Sequence, residues 1–427
     1  MDLFVLFGSL LLLLTLSIPI GIALGLATAL TLALTSEIPL IMIAQTAFAA
    51  LDSFPLLAIP FFMLAGSLMS YGGISRRLVL LAEGLVGFIT GGLAMMTTVA
   101  CMFFAAISGS GPATVSAIGS FMIPAMKEKK YDEDFAAALT AAAGSIGVII
   151  PPSIPFVIYC VISGASVGEL FLAGVIPGLI IGASLMCLSY FIAKRRGYPK
   201  AEPREKNDAG LFRSFFDALW ALMVPFIILG GIYGGVFTPT EAAVIAVVYA
   251  LVIGWAVYGE LDVKTTIDAF REAMLVNGAT TFMVGLSMGF ASYLAMEQIP
   301  MRIGGYLVAI SSKPVAILLF INAILLVVGC FVDNISSMII LTPIFLPVVK
   351  NIGVDPIHFG LVMTVALAIG FVTPPYGANL FVASAISGVS MERISKRIVP
   401  IVGVMLACLI LFTFVPGVSM GLVKWLR

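Results

Sequence analysis

The sequence predicts an all-α polytopic membrane protein made of two inverted-topology repeats with re-entrant hairpins and broken helices, and three observations lead to that class. Of its 427 residues, 61% are hydrophobic and only 10% charged, with a mean hydropathy of +1.16. Burial on that scale has to occur in lipid or between helices, in runs of about 20 residues. A membrane β-barrel would instead alternate over about ten residues between aromatic girdles, a pattern that does not occur. The second observation is a single polar stretch near the middle, "AKRRGYPKAEPREKNDAGLFR". The third is a repeated break: "IGVIIPPSIPF" at 146–156 returns as "IGFVTPPYGAN" at 369–379, 223 positions later. Adjacent prolines remove two backbone donors and disfavour helix just before them.

Taken in order, the chain starts with "MDLFVLFGSLLLLLTLSIPIG", an apolar run with Asp2 and no preceding Lys or Arg. It reads as a retained span rather than a secretory signal. Residues 1–193 form the first repeat, with a re-entrant hairpin over 91–126 and a broken helix over 135–163. The linker, 194–213, carries Lys194, Arg195, Arg196, Lys200, Arg204, Lys206 and Arg213, and the positive-inside rule places it in the cytoplasm. Residues 214–427 form the second repeat, with a hairpin over 314–349 and a broken helix over 357–387. Counting spans outward from the linker puts 17 of the 22 Lys and Arg residues inside, leaving Arg302, Lys313, Lys350, Lys424 and Arg427 outside.

Further anchors tie the halves together. Pro19 pairs with Pro239, Arg77 with Arg302, "ISGAS" (162–166) with "ISGVS" (386–390), and Pro177 with Pro400. Because Arg77 falls inside and Arg302 outside, equivalent positions lie on opposite faces, so the repeats are expected to be inverted.

Paired interrupted helices in inverted repeats are the architecture of secondary transporters, which hold substrate and coupling ion near the midplane. A break frees carbonyls and leaves half-helix termini with partial charge facing a cavity. The hairpins add "AAISGSGPATVSAIG" (105–119), whose turn chemistry suits a chain reversal, and "CFVDNISSMIILTP" (330–343), which carries Asp333, Asn334, Ser336 and Ser337. Carbonyls, hydroxyls and one carboxylate are hard oxygen ligands. An acid inside a membrane segment is costly and marks function by default.

These residues resemble the large membrane subunit of the tripartite ATP-independent periplasmic (TRAP) transporters, within the ion-transporter superfamily, and the resemblance implies an elevator-type fold. The resemblance covers essentially the whole chain, through "SGSGPATVSAIG", "GSIGVIIPPSIPFVIY", "GGVFTPTEAAVIAVVYAL", "FVDNISSMIILTPIFLPVV" and "GFVTPPYGANLFVASAISG". It implies sodium symport of an organic acid, of the sialic acid or C4-dicarboxylate type, in a bacterial inner membrane. A periplasmic substrate-binding protein would deliver the substrate, and a small four-helix membrane subunit, here separate from this chain, would complete the permease. The implied sodium ligands are Ser108, Gly109, Ser110, Gly147, Ile150 and Pro151 at one site, and Asp333, Asn334, Ser336, Thr373, Pro374 and Gly377 at a second. The substrate would meet Ser110, Thr114, Pro152, Ser153, Ser337, Pro375 and Asn379. Na+ is the coupling ion, at two or more sites, and no organic cofactor or nucleic-acid partner is expected.

Other classes fit less well. An intramembrane protease needs a Ser/His pair or two facing aspartates; the one histidine, His358, reads as a loop residue beside Pro356, and Asp333 has no evident second aspartate. No Gly-Lys dipeptide occurs, so this chain has no phosphate-binding loop for direct ATP use. A channel also uses re-entrant hairpins, but usually around an oligomeric axis. A stand-alone sodium-coupled carboxylate carrier is the nearer rival. Glu241, three residues after Thr238, reads as a helix capping box, while Asp52, Glu83, Glu169 and Asp217 read as charges near span ends. The five cysteines lack paired spacing and read as free core thiols.

Overall fold

The computed structural model describes residues 2–16, 18–199, 211–299, 301–302, 313–375 and 377–426. Among them every regular element is helical, and 8 helices are long and apolar enough to cross a membrane. Of the cations counted in the sequence, Lys200, Arg204 and Lys206 of the linker and Arg427 lie outside the described residues.

The first repeat runs through α1 (Asp2–Thr15), α2 (Ile20–Thr35), α3 (Ile41–Leu51), α4 (Ala58–Tyr71) and α5 (Ile74–Val86). It continues with α6 (Gly92–Ser108), α7 (Gly111–Glu128), α8 (Glu133–Gly144), α9 (Ile154–Ser163) and α10 (Val167–Arg196). The second contains α11 (Leu211–Tyr233), α12 (Pro239–Val252), α13 (Val263–Met296), α14 (Pro314–Phe331) and α15 (Asn334–Asn351). After these come α16 (Pro356–Gly370), α17 (Ala378–Ser387), α18 (Met391–Phe414) and α19 (Pro416–Leu426). Helix starts at 92, 111, 133, 154 and 167 recur at 314, 334, 356, 378 and 391, an offset of 222 to 224.

The expected hairpins are helix pairs, α6–α7 and α14–α15, and both expected breaks are present, between α8 and α9 and between α16 and α17. The first break starts as a 3-10 turn, Ser145–Val148, and both Pro–Pro bonds, Pro151–Pro152 and Pro374–Pro375, are cis. Two details differ from the sequence reading. Helix α10 continues to Arg196, so three linker cations sit in its last turn, where positive charge complements the helix dipole. Cys187 is exposed, whereas the other four cysteines are buried, and all five are free.

Packing has two main blocks that also touch each other, through α13 on α15 and α5 on α6. Helix α13 lies against α2, α3 and α4, and α4 lies against α12. The hairpins and broken helices interlock across the repeats in reciprocal fashion: α7 packs on α17, and α15 packs on α9. Each first arm packs on the broken helix of its own repeat, α6 on α8 and α14 on α16. Small residues allow this closeness. At Gly329 and Gly370, where α14 crosses the end of α16, an added Cβ on Gly370 would run into the Gly329 backbone.

Candidate functional site

The first hairpin turns through Gly109 and Ser110. Gly109 takes φ +61, a left-handed conformation that glycine reaches without a Cβ clash. That turn is pinned to the first break by the Ile154 N–H, which donates to the Gly109 carbonyl at 3.3 Å. Three oxygens then come together: Ser108 Oγ lies 2.9 Å from Thr114 Oγ1, Thr114 Oγ1 donates to the Ser110 carbonyl at 2.8 Å, and Ser108 Oγ is 3.4 Å from that carbonyl. Gly147 lies directly against this cluster, since a Cβ there would stand 2.5 Å from Thr114 Oγ1 and 2.6 Å from the Ser110 carbonyl oxygen. The structure thus gathers Ser108, Gly109, Ser110, Thr114 and Gly147. Ile150, Pro151 and Pro152 follow as buried backbone in the break. Ser153 is fully buried and caps α9, donating to the Val148 carbonyl at 2.7 Å and accepting from the Phe156 N–H at 3.4 Å.

At the second hairpin the tip is closed by a carboxylate. Asp333 is the N-cap of α15: its Oδ2 accepts from the N–H groups of Ile335 and Ser336 at 3.0 and 3.1 Å, and its Oδ1 accepts from Ser336 Oγ. Ser336 Oγ also lies 2.8 Å from Met283 Sδ on α13. The tip meets its break where the Gly377 N–H donates to the Cys330 carbonyl at 3.3 Å, with Gly377 at φ +43. Thr373 Oγ1 donates to the Ile369 carbonyl at 2.7 Å, Pro374 is half-buried and Pro375 exposed.

The two sites are joined through Asn379. Its Nδ2 donates to the Ala141 carbonyl of α8 at 3.1 Å, and Gly111 of the first hairpin lies close enough that a Cβ there would be 3.1 Å from Asn379 Oδ1.

Buried polar atoms are normally satisfied, and each orphan costs about 1–3 kcal/mol. Among the described residues, the buried side-chain atoms without a partner are Ser75 Oγ, both polar atoms of Asn334, Ser337 Oγ and Asn379 Oδ1. All but the first belong to residues that the sequence analysis had singled out. The donors here are hydroxyls, amides, carbonyls and one carboxylate. No group of three or more His, Cys, Asp or Glu side chains that could hold a metal ion occurs among the described residues. The chemistry suits an alkali cation rather than a transition metal.

A cavity of about 450 Å³ opens beside the first hairpin tip, between α7 and the α4–α13 pair. Ser108 and Ser110 line it together with Ser67, Ser70, Ser116 and Glu272. Glu272 accepts from Ser67 Oγ at 3.3 Å. Of the expected substrate residues only Ser110 reaches this cavity; Thr114, Pro152, Ser153, Ser337, Pro375 and Asn379 do not line it. Ser67, Ser70, Ser116 and Glu272 are not among the residues expected from the sequence. The recurrence of small or hydroxyl residues at 110, 113, 116, 117 and 120 of α7 was the available signal, because it marks one helical face.

One sequence expectation is corrected. His358 is not in a loop: Asp355 caps α16 and Pro356 occupies its first turn, so His358 falls within the helix. Only 3% exposed, its Nδ1 lies 2.7 Å from Ser419 Oγ and its Nε2 3.4 Å from the Thr413 carbonyl, which ties α16 to α18 and α19. Proline before a polar residue marks a helix start as readily as a loop. Thr238 and Glu241 do form the capping box, with the Thr238 N–H donating to Glu241 Oε2 at 2.8 Å.

Comparison with known proteins adds independent findings. The family model described as "Tripartite ATP-independent periplasmic transporter, DctM component" matches residues 7–418. The chain is 48% identical over 416 residues to the isethionate TRAP transporter permease protein DctMQ of Oleidesulfovibrio alaskensis, covering 97% of this chain and 65% of that relative's length. It is 41% identical over 384 residues to the C4-dicarboxylate TRAP transporter large permease protein DctM of Pseudomonas aeruginosa, covering 90% of each. With the sialic acid TRAP transporter large permease protein SiaM of Vibrio cholerae it shares 40% identity over 371 residues, 86% of each chain. The crystal structure of the Alcanivorax borkumensis YdaH transporter, described as having an unusual topology, superposes with a TM-score of 0.66 over 90% of this chain and 88% of that one. At 14% identity that last likeness is one of fold alone.

Proposed function

The chain belongs to the DctM-component family of tripartite ATP-independent periplasmic transporters, a family of multi-pass permeases, and from that premise we propose that it imports a small organic acid by sodium symport. The observation that carries the reading is the set of orphaned polar atoms on Asn334, Ser337 and Asn379. Buried polar atoms without partners at the second hairpin tip and just after the second break are accounted for by a polar guest. The guest here is a sodium ion with its co-transported anion.

In this reading the first ion is held by Ser108, Ser110 and the Gly147–Pro151 backbone, and the second by Asp333, Asn334, Ser336 and the Thr373–Gly377 segment. The anion enters through the serine-lined cavity at Ser110. No arginine or lysine lines that cavity. The acid's charge therefore has to be met by hydroxyls, helix N-termini and the ions, which makes transport strictly sodium-dependent. The hairpins and broken helices move together, as re-entrant elements of two inverted repeats, against α2–α4 and α11–α13. A small membrane subunit and a periplasmic binding protein complete the system in the inner membrane. The relatives' names point to isethionate, C4-dicarboxylates and sialic acid as the acids to try.

The test is uptake of labelled isethionate, succinate and sialic acid into proteoliposomes that hold this chain and a small subunit. Each acid is measured with and without binding protein and an inward sodium gradient. Uptake that needs both additions supports the proposal and names the substrate. Uptake with sodium alone would make the chain a stand-alone carrier, and sodium-independent flux in both directions would make it a channel.

A further inference from the structure

A second cavity, of about 370 Å³, lies away from the hairpin tips, where α5, α11 and the segment after α12 meet. Its volume falls in the range of small-molecule sites, about 300–1,000 Å³. It lies where two spans end: Phe215–Tyr233 begins here and Pro239–Val257 finishes here. The cavity is therefore at the level of lipid headgroups. A one-turn π-segment, Ile253–Val257, shapes one wall, and the Gly254 carbonyl accepts from the N–H groups of Glu260 and Leu261 at 3.1 Å each. Such π-turns often accompany functional sites.

The charges that line it are unequal in their commitments. Arg77 is fully engaged: it bridges Glu260 at 2.7 Å, donates to the Gly73 carbonyl at 2.9 Å, and stacks 3.6 Å above the Tyr258 ring. Arg76 and Asp217 line the same cavity, both exposed, and among the described residues neither has an ion-pair partner. Trp220, 45% exposed and of the type that sits at membrane interfaces, lines the same cavity.

One cation and one anion left over in a single cavity at headgroup depth match a headgroup that carries one of each. We propose that this cavity holds the headgroup of a zwitterionic, primary-amine phospholipid of the phosphatidylethanolamine type. Arg76 takes the phosphate in a charge-assisted hydrogen bond, and Asp217 takes the ammonium. Trp220 covers the glycerol region. The site holds α5, which carries Arg76 and Arg77, against α11.

The test is native mass spectrometry of the detergent-released full chain, titrated in parallel with phosphatidylethanolamine, phosphatidylcholine, phosphatidylglycerol and inorganic phosphate. The expected order is phosphatidylethanolamine first. The choline lipid is weaker because its quaternary amine cannot donate to Asp217, and the glycerol lipid is weaker because Asp217 repels it. Arg76→Gln should lower retention of all three lipids by about 5-fold, the effect of one interfacial charge. Asp217→Asn should lower phosphatidylethanolamine and raise phosphatidylglycerol, a reversal that general destabilisation cannot produce. Both positions are exposed, and an unchanged elution volume and melting temperature confirm the fold of each variant. Equal or better binding of phosphatidylglycerol to the wild type, no loss in Arg76→Gln, or displacement of the lipid by millimolar inorganic phosphate would each overturn the assignment.

Discussion

Gly147→Ala is the sharpest test of the first ion site, because the geometry fixes both its direction and its size. The residue lies in the 3-10 turn that opens the first break, and its Cβ would stand 2.5 Å from Thr114 Oγ1 and 2.6 Å from the Ser110 carbonyl oxygen. Comfortable separations are about 3.5–4.0 Å, so the hairpin tip has to retreat by about 1 Å. One contact is backbone rather than a flexible side-chain end, and the Gly109 turn is held by Ile154, so the tip cannot simply rotate away. Overpacking of this kind costs about 1–3 kcal/mol. If that strain falls on the ion-bound state, sodium affinity drops by about 5- to 150-fold. The assay is thermal unfolding of the purified chain in sodium against potassium chloride at fixed ionic strength, since a ligand that binds only the folded state raises its stability with concentration. Wild type should show a sodium-specific rise, and Gly147→Ala the same rise displaced to higher sodium. Gly403→Ala on α18, where a Cβ meets nothing within 4 Å, is the control and should not move the midpoint. A folded Gly147→Ala protein with the wild-type sodium midpoint would refute the site.

The other predictions address the second site and the frame around it. Asp333→Asn removes the charge yet keeps a good N-cap, so α15 should hold while sodium activation of uptake weakens; Asp333→Ala should also lower stability by about 1 kcal/mol. Unchanged sodium activation in the Asn variant would take Asp333 out of the ligand set. Pro374→Ala restores a backbone donor in the second break. Transport should be lost with membrane insertion intact, and full activity would show that the break is dispensable. Thr238→Ala deletes the capping box of α12 and should cost about 1 kcal/mol in a melting experiment with the sodium midpoint unmoved; a displaced midpoint would mean that α12 contributes to ion binding.

Much of the helical frame is legible in the sequence because membrane burial leaves few options. Apolar runs must be helical in lipid, and proline and glycine punctuate them, so the helices Gly92–Ser108, Pro314–Phe331 and Pro356–Gly370 start where those residues interrupt the runs. Depth of interpretation fails where one residue type has two uses. Proline beside His358 signals a helix start or a loop with equal force, and only the packing of α16 on α19 separates them. Asp333 reads as an intramembrane acid, but the structure also makes it the N-cap of α15, a role that Asp favours and that the first reading hides. Glu272 and Ser67 are 205 positions apart in the chain and join one cavity only through the packing of α4 on α13. Contacts between repeats, such as Asn379 with Ala141, carry no local signature at all.

The two tips solve the same turn with different chemistry, and on the proposed assignment that difference has a consequence. The first tip offers a cation only neutral oxygens, two hydroxyls and a carbonyl that already hydrogen-bond one another. The second offers a carboxylate, and among the described residues Asp333 forms no ion pair with Lys or Arg. Its charge is met by two N–H groups, one hydroxyl and the positive end of α15. A sodium ion there neutralises a charge, whereas one at the first tip brings a charge that only an incoming anion can balance. The second site should therefore fill without substrate, and the first should fill with it. Without substrate, Asp333→Asn should thus reduce sodium-specific stabilisation more than Gly147→Ala does, and equal losses would mean that the carboxylate does not set the order of binding.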